Sequence, residues 1–168
     1  MQKNSFCTIP WIHAATKTNG SSRVCCLMSN SSGGETGHNF KQHSVEEIHN
    51  SEFSRKIRKQ FLAGEKPTEC NTCWVKEDNG GHSRRTFTNK IYKHFDFDKA
   101  VQLTKPDGST TQMPVYWDLR FGNLCNLKCV MCGPQRSSMW YKDWSKVSST
   151  DHFYCLLHSS AVHDFPLR

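Results

Sequence analysis

Nine cysteines in 168 residues, eight of them gathered into two groups, constrain this chain more than any other feature. The first group is Cys7, Cys25, Cys26, Cys70 and Cys73. The second is the eight-residue run "CNLKCVMC", with Cys125, Cys129 and Cys132. These are ligand spacings, and reducing compartments keep thiols free, so metal rather than disulfide is the first reading. The N-terminus, "MQKNSFCTIPWIHAA", has no uninterrupted apolar core after its lysine, and no 18-residue apolar run exists. Neither a secretory signal nor a membrane span is expected, and the predicted compartment is the cytoplasm.

The formal charge of +7 raises the question of nucleic acid, with "RKIRK" (55–59) and Arg84-Arg85 as the densest basic stretches. That figure counts every thiol as neutral. Seven thiolates holding two clusters of core charge about +2 each would lower it by about three units, to about +4. No interleaving of aromatic and basic residues marks a groove-binding surface, so a solvated basic face is the better reading and nucleic acid is not an expected partner.

Asn19-Gly20 sits between two short runs of mixed polarity and predicts a hairpin of two antiparallel strands within residues 8–28. "SNSSGGETGHN" (29–39) reads as a Gly/Ser-rich loop. Ser44 with Glu47 forms a capping box, and Val45, Ile48, Ile57 and Phe61 recur at near-helical spacing before Gly64, predicting a helix from about 45 to 62. Residues 84–97 are expected to resume helix, and the Pro-bounded polar stretch 104–114 reads as a linker. "VYWDLRF" then alternates Val115, Trp117, Leu119 and Phe121 with Tyr116, Asp118 and Arg120, a strand with one apolar and one polar face. After the three-cysteine loop, Gly133-Pro134 precedes a helix capped by Ser137 or Ser138 and running through Trp140, Trp144 and Val147.

Cys125-x3-Cys129-x2-Cys132 suits three irons of a four-iron core, because a short loop can wrap three thiolates around one face and leave the fourth iron open. An open position is where metal sites hold a substrate or cofactor. A zinc site completed by a remote cysteine or histidine is the competing reading. "DLRFGNLCNLKCVMCG" resembles the first strand and cluster loop of radical S-adenosylmethionine enzymes, over residues 115 to about 147. The resemblance implies a [4Fe-4S] cluster on Cys125, Cys129 and Cys132, whose open iron chelates S-adenosylmethionine. One electron from an external donor would then split the cofactor into methionine and a 5'-deoxyadenosyl radical. Met131 stands where that family usually has an aromatic residue near the adenine, and its thioether can pack against a ring.

The first group also has a resemblance. Cys7-x12-Gly20-x4-Cys25, the capped helix, "AGEKPTECNTCW" and the following Glu77 and Arg85 are similar to the twitch domain, the shorter relative of the SPASM domain, over residues 6 to about 90. It implies one auxiliary [4Fe-4S] cluster on Cys7, Cys25, Cys70 and Cys73. On a strand Cys25 and Cys26 would face opposite ways, so one of them is a spare, and the glycine spacing favours Cys25. A zinc ribbon using the same four cysteines is the alternative, since spacing alone does not choose the metal. His13, His38, His43, His49 and His82 lack paired ligand spacing and read as surface residues. Gly33-Gly34-Glu35 looks like the cofactor-binding GGE motif of the radical family, but it lies about ninety residues before the cluster loop and is set aside.

Only 36 residues follow Cys132, room for about one βα unit, whereas the family's partial barrel has about six. The expected organisation is a twitch-type module over 1–103, a linker over 104–114 and the incomplete start of a barrel over 115–168. The fold class is α+β with the first βα unit of a (β/α)6 barrel. As a truncated or split product the chain is not expected to be active alone. Its expected partners are S-adenosylmethionine, an electron donor and a polypeptide supplying the rest of the barrel. Asp118 and Arg120 would touch cofactor or substrate if they faced a barrel lumen, and otherwise form an ordinary structural pair. A non-catalytic iron-sulfur or zinc module serving electron transfer or assembly is the alternative function.

Overall fold

A computed structural model describes residues 3–28 and 35–148. The chain divides into two compact units, Met1–Leu119 and Arg120–Arg168. The first unit is α+β, with a four-stranded mixed sheet in the order β3-β2-β1-β4.

It opens with a 3-10 turn at Lys3–Ser5 and the short helix α1, Ile9–Ile12, whose Pro10 lies in the first turn, where a missing N–H costs nothing. Strands β1 (His13–Thr16) and β2 (Ser21–Arg23) form the expected antiparallel hairpin. Its turn is closed by Gly20 N–H donating to Lys17 O at 2.9 Å. Gly20 adopts φ +90, and a Cβ there would lie 2.5 Å from Asn39 Oδ1, so the position takes glycine for two reasons.

Asn39 belongs to β3, Glu35–Asn39, which pairs antiparallel with β2. The second half of the stretch read as a loop is therefore a strand, held by Thr36 against Ser22 and by a Lys17–Glu35 ion pair. Side-chain hydroxyls and main-chain pairing replace the apolar alternation that normally marks a strand. Gly33 and Gly34 lie outside the described residues.

The capping box at Ser44 is present, but the helix it starts, α2, ends at His49 (Val45–His49). Ser51 then caps α3, Glu52–Leu62, by accepting from Ser54 N–H. The single helix expected over 45–62 is thus two, because Ser51 supplies a second start signal inside one apolar period. After α4 (Asn71–Asp78), Ser83 caps α5 (Arg84–Ile91) through a further capping box, and Asp96 caps α6 (Phe97–Leu103). The helix expected over 84–97 ends at Ile91.

Residues 104–114 are fastened to α3 and its approach. Asn50 Nδ2 donates to Thr110 O, Thr110 N–H donates to Asn50 Oδ1, and Thr104 bridges Thr110. The core lies between α1, the hairpin and the helices, around Trp11, Ile12, Ile57, Phe61, Trp74, Phe95 and Phe97. His13 and His49 belong to this interior, 2% and 5% exposed, which corrects their reading as surface residues. His13 Nδ1–H donates to Val24 O and the His49 ring bonds Trp11 O, whereas His13 Nε2 is buried without a hydrogen-bond partner among the described residues. Arg58, part of the stretch read as a solvated basic face, is 0% exposed.

Strand β4, Tyr116–Asp118, pairs parallel with β1 and forms the sheet's edge. Its faces are inverted relative to expectation. Tyr116 packs on His13 and Tyr92 and accepts from Arg84, whereas Val115, Trp117 and Leu119 are 58%, 41% and 43% exposed.

In the second unit, a 3-10 turn at Ser138–Trp140 leads into α7, Tyr141–Ser148, beginning where Ser137 was expected to open a helix. No helix among the described residues is long and apolar enough to cross a membrane.

Candidate metal centre

Four cysteines separated by up to 66 positions line one pocket of the first unit: Cys7, Cys25, Cys70 and Cys73. Each arrives on a local structure that its sequence dictates. Cys7 precedes α1 and sits in the core beside Phe6. Cys25 follows β2 in a turn closed by Met28 N–H donating to Cys25 O, so the strand alternation argument does not apply to it and Cys26. Burial separates them instead. Cys25 is 7% exposed and lines the pocket, while Cys26 is half-buried and lies under the influence of Arg84 and Asp118.

Cys70 ends the 3-10 turn Thr68–Cys70 and immediately precedes α4, and Cys73 lies in the first turn of that helix. A spacing of three along a helical turn puts both sulfurs on one side. The free amides at a helix start also favour negative charge nearby. Trp74 anchors this end: its Nε1–H donates to Pro67 O at 2.9 Å and its ring packs 6.3 Å from that of Phe61.

For Cys7 and Cys70 burial outweighs the nearby Arg85 charge. Burial pushes Cys7 up to about 12 and raises Cys70 as well, each further raised by neighbouring thiols of the set. Cys25 is raised first by its hydrogen bond to Cys26 and then by burial, while the same bond lowers Cys26. Buried thiolates at this site therefore need a positive group to be stable, and a metal core supplies one. Among the described residues no three Cys, His, Asp or Glu side chains meet at the single point one metal ion requires. Four thiols around a shared pocket suit a group that bonds each sulfur through a different metal atom.

Arg85 lines the same pocket, held by Glu77. The sequence resemblance included both residues, but nothing in their spacing said that the arginine reaches the thiols.

In the second unit, Cys125 and Cys132 are half-buried and Cys129 is exposed. Leu127 N–H donates to Cys125 Sγ at 3.4 Å, and Cys132 N–H closes a turn on Cys129 O at 3.0 Å. The loop is pinned from the following segment, where Ser137 Oγ–H donates to Leu127 O and Trp140 Nε1–H donates to Cys129 O. Lys128 pairs with Asp143 and lies over the Trp140 ring. Met131 is 88% exposed, as are Phe121, Leu124 and Val130 at above 90%. The three sulfurs share a loop without meeting at one point. The ninth cysteine, Cys155, and the rest of the C-terminal stretch lie outside the described residues.

Comparison with curated proteins gives no match, and comparison with solved structures gives none either. One family model does match, that of SPASM, described as an iron-sulfur cluster-binding domain, and it covers residues 7–74. The matched span begins at Cys7 and includes Cys25, Cys70 and Cys73. Residues 7–74 are therefore a SPASM/twitch-type iron-sulfur cluster-binding domain.

Proposed function

We propose that the chain is a two-centre iron-sulfur protein of the radical S-adenosylmethionine type. In this reading Cys7, Cys25, Cys70 and Cys73 hold an auxiliary [4Fe-4S] cluster. The observation that carries it is the convergence of these four distant thiols on one pocket within the matched SPASM span. The auxiliary group would supply one-electron chemistry from a largely buried position beneath α1 and α4. The residues around it hold the backbone that carries the ligands: Trp74 fixes the Cys70–Cys73 turn, and Arg85 binds the main chain on the N-terminal side of Cys7.

Cys125, Cys129 and Cys132 would bind the second [4Fe-4S] cluster, whose open iron takes S-adenosylmethionine, with Met131 toward the adenine. The order of residues in "CNLKCVMC" supports this, as does the Leu127 N–H aimed at Cys125 Sγ, since amide bonds to sulfur stabilise a cluster's reduced form. The exposed Val115, Trp117 and Leu119 on β4, and the exposed Phe121, Leu124 and Val130 around the loop, support a further polypeptide that covers them. That polypeptide would enclose the radical, and an external donor would supply the electron.

Anaerobic reconstitution tests the reading. About eight irons per chain is the expected result, with release of 5'-deoxyadenosine from S-adenosylmethionine under reduction once the polypeptide that completes the barrel is present. Iron without cleavage favours the electron-transfer or assembly module, and one or two zincs with no iron contradicts both.

A further inference from the structure

One charged pair stands at the pocket of the four thiols, with Arg85 lining it and Glu77 bonded to Arg85. The Arg85 guanidinium donates from Nε and Nη2 to the two carboxylate oxygens of Glu77, at 3.0 Å for Nε. Its Nη1 donates to the carbonyls of Asn4 and Phe6, both at 2.9 Å, and its Cζ lies 5.0 Å from the centre of the Trp74 ring. Ser83 donates a further bond to Glu77. The two side chains are only 13% and 17% exposed, so solvent screens them weakly. Phe6 precedes Cys7 and Trp74 follows Cys73, so the cation is held by main-chain carbonyls before the first ligand and by an aromatic ring after the last.

The fields of the two ions at the thiols are opposed. Arg85 lines the pocket of the four thiols and Glu77 is bonded directly to it, so a cation and an anion both stand beside the ligand set. Reduction adds one negative charge to an iron-sulfur group, so each ion alone would move the reduction equilibrium and the two together largely cancel. The nearby Lys56–Glu69 pair differs, because Lys56 is 57% exposed and its charge is screened.

We propose that the Glu77–Arg85 pair sets the reduction potential of the iron-sulfur group held by Cys7, Cys25, Cys70 and Cys73, each ion offsetting the other. This rests on the auxiliary-cluster reading above. The pair is a positioning and tuning device rather than a ligand.

The test is a redox titration of the reconstituted full chain, followed by electron paramagnetic resonance. Cys125→Ala, Cys129→Ala and Cys132→Ala are included throughout, so that a single centre reports. Arg85→Gln leaves Glu77 uncompensated and is expected to lower the potential, shifting the reduced-to-oxidised ratio at fixed potential by about tenfold, or about 59 mV for one electron. Glu77→Gln leaves Arg85 uncompensated and should shift it by a similar factor in the opposite direction. The double variant should return toward the parent value, and Lys56→Gln should change little. Should Arg85→Gln fail to hold the cluster, Glu77→Gln, which keeps the arginine's carbonyl bonds, and Arg85→Lys decide the question. A merely structural pair would lose cluster in both single variants without opposed shifts. Potentials that stay fixed or move in the same direction overturn the inference alone, whereas a parent chain that takes up no cluster overturns the underlying reading with it.

Discussion

Arg58 sits in the interior with four oxygens around it. Its Nη2 donates to His49 O at 2.6 Å, Nε to Pro10 O at 2.9 Å, and Nη1 to Asn50 Oδ1 and Gly108 O. One side chain thus satisfies the end of α2, a carbonyl within α1 and the turn at 107–109, which explains why a full cation is tolerated at 0% exposure. Arg58→Met is expected to destabilise the domain by about 3 to 5 kcal/mol, because the acceptors are left buried and unpaired. Arg58→Lys should recover part of that, since an ammonium cannot reproduce the planar fork. Urea unfolding checks both, and a methionine variant within about 1 kcal/mol of the parent would refute the role. Beside it, burial and the Arg58 charge hold His49 down at about 3, against its ordinary 6.5. A depressed value means the folded state keeps the ring neutral. Its contribution to stability is therefore complete above about pH 6.5 and is lost as pH falls toward 3, where only the unfolded chain takes up the proton. Between pH 7 and pH 5 the urea midpoint should fall by the equivalent of about 1 to 2 kcal/mol, and His49→Gln should flatten that slope if the ring is its source. None of this was legible in "RKIRK" or in the scattered histidines, since burial of a charged residue depends on carbonyls brought from other elements.

At the scale of elements, local chemistry was readable and long-range pairing was not. The Asn19-Gly20 turn and the Ser44 capping box both stand where their residues required. Ser51 was also a visible cap, but the apolar period carried through it and hid the break between α2 and α3. β3 lacked an apolar face to announce it. β4 offered a clear alternation whose polarity misled, because Tyr116 rather than Trp117 points at the sheet's packed side, and its parallel partner β1 lies about a hundred residues earlier. The turn at 107–109 fits against α3 only because Gly108 has no side chain: at φ +87 a Cβ would lie 2.6 Å from Arg55 O. Gly108→Ala should therefore cost about 2 kcal/mol or more and loosen the Arg58 and Asn50 contacts to this turn. Hydrogen exchange at Thr110 N–H, which is bonded to Asn50, should speed up with it, and unchanged protection would contradict the fit.

For the whole molecule, the candidate site was the most legible part. Cysteine spacing picked out Cys7, Cys25, Cys70 and Cys73 from 66 positions of chain, and the fold gathers these four on one pocket while leaving Cys26 outside it. What spacing could not supply was the surrounding field, the Glu77–Arg85 pair above all, because that comes from α4 and α5 packing on the N-terminal turn. The central claim is that these four thiols and not Cys26 hold one iron-sulfur cluster. Iron and acid-labile sulfide counted in the full chain carrying Cys125→Ala, Cys129→Ala and Cys132→Ala test it most directly. The account predicts about four irons and four sulfides per chain, retained when Cys26→Ala is added and lost when Cys25→Ala is added instead. A single zinc without sulfide, or a cluster that survives Cys25→Ala and disappears with Cys26→Ala, would contradict it.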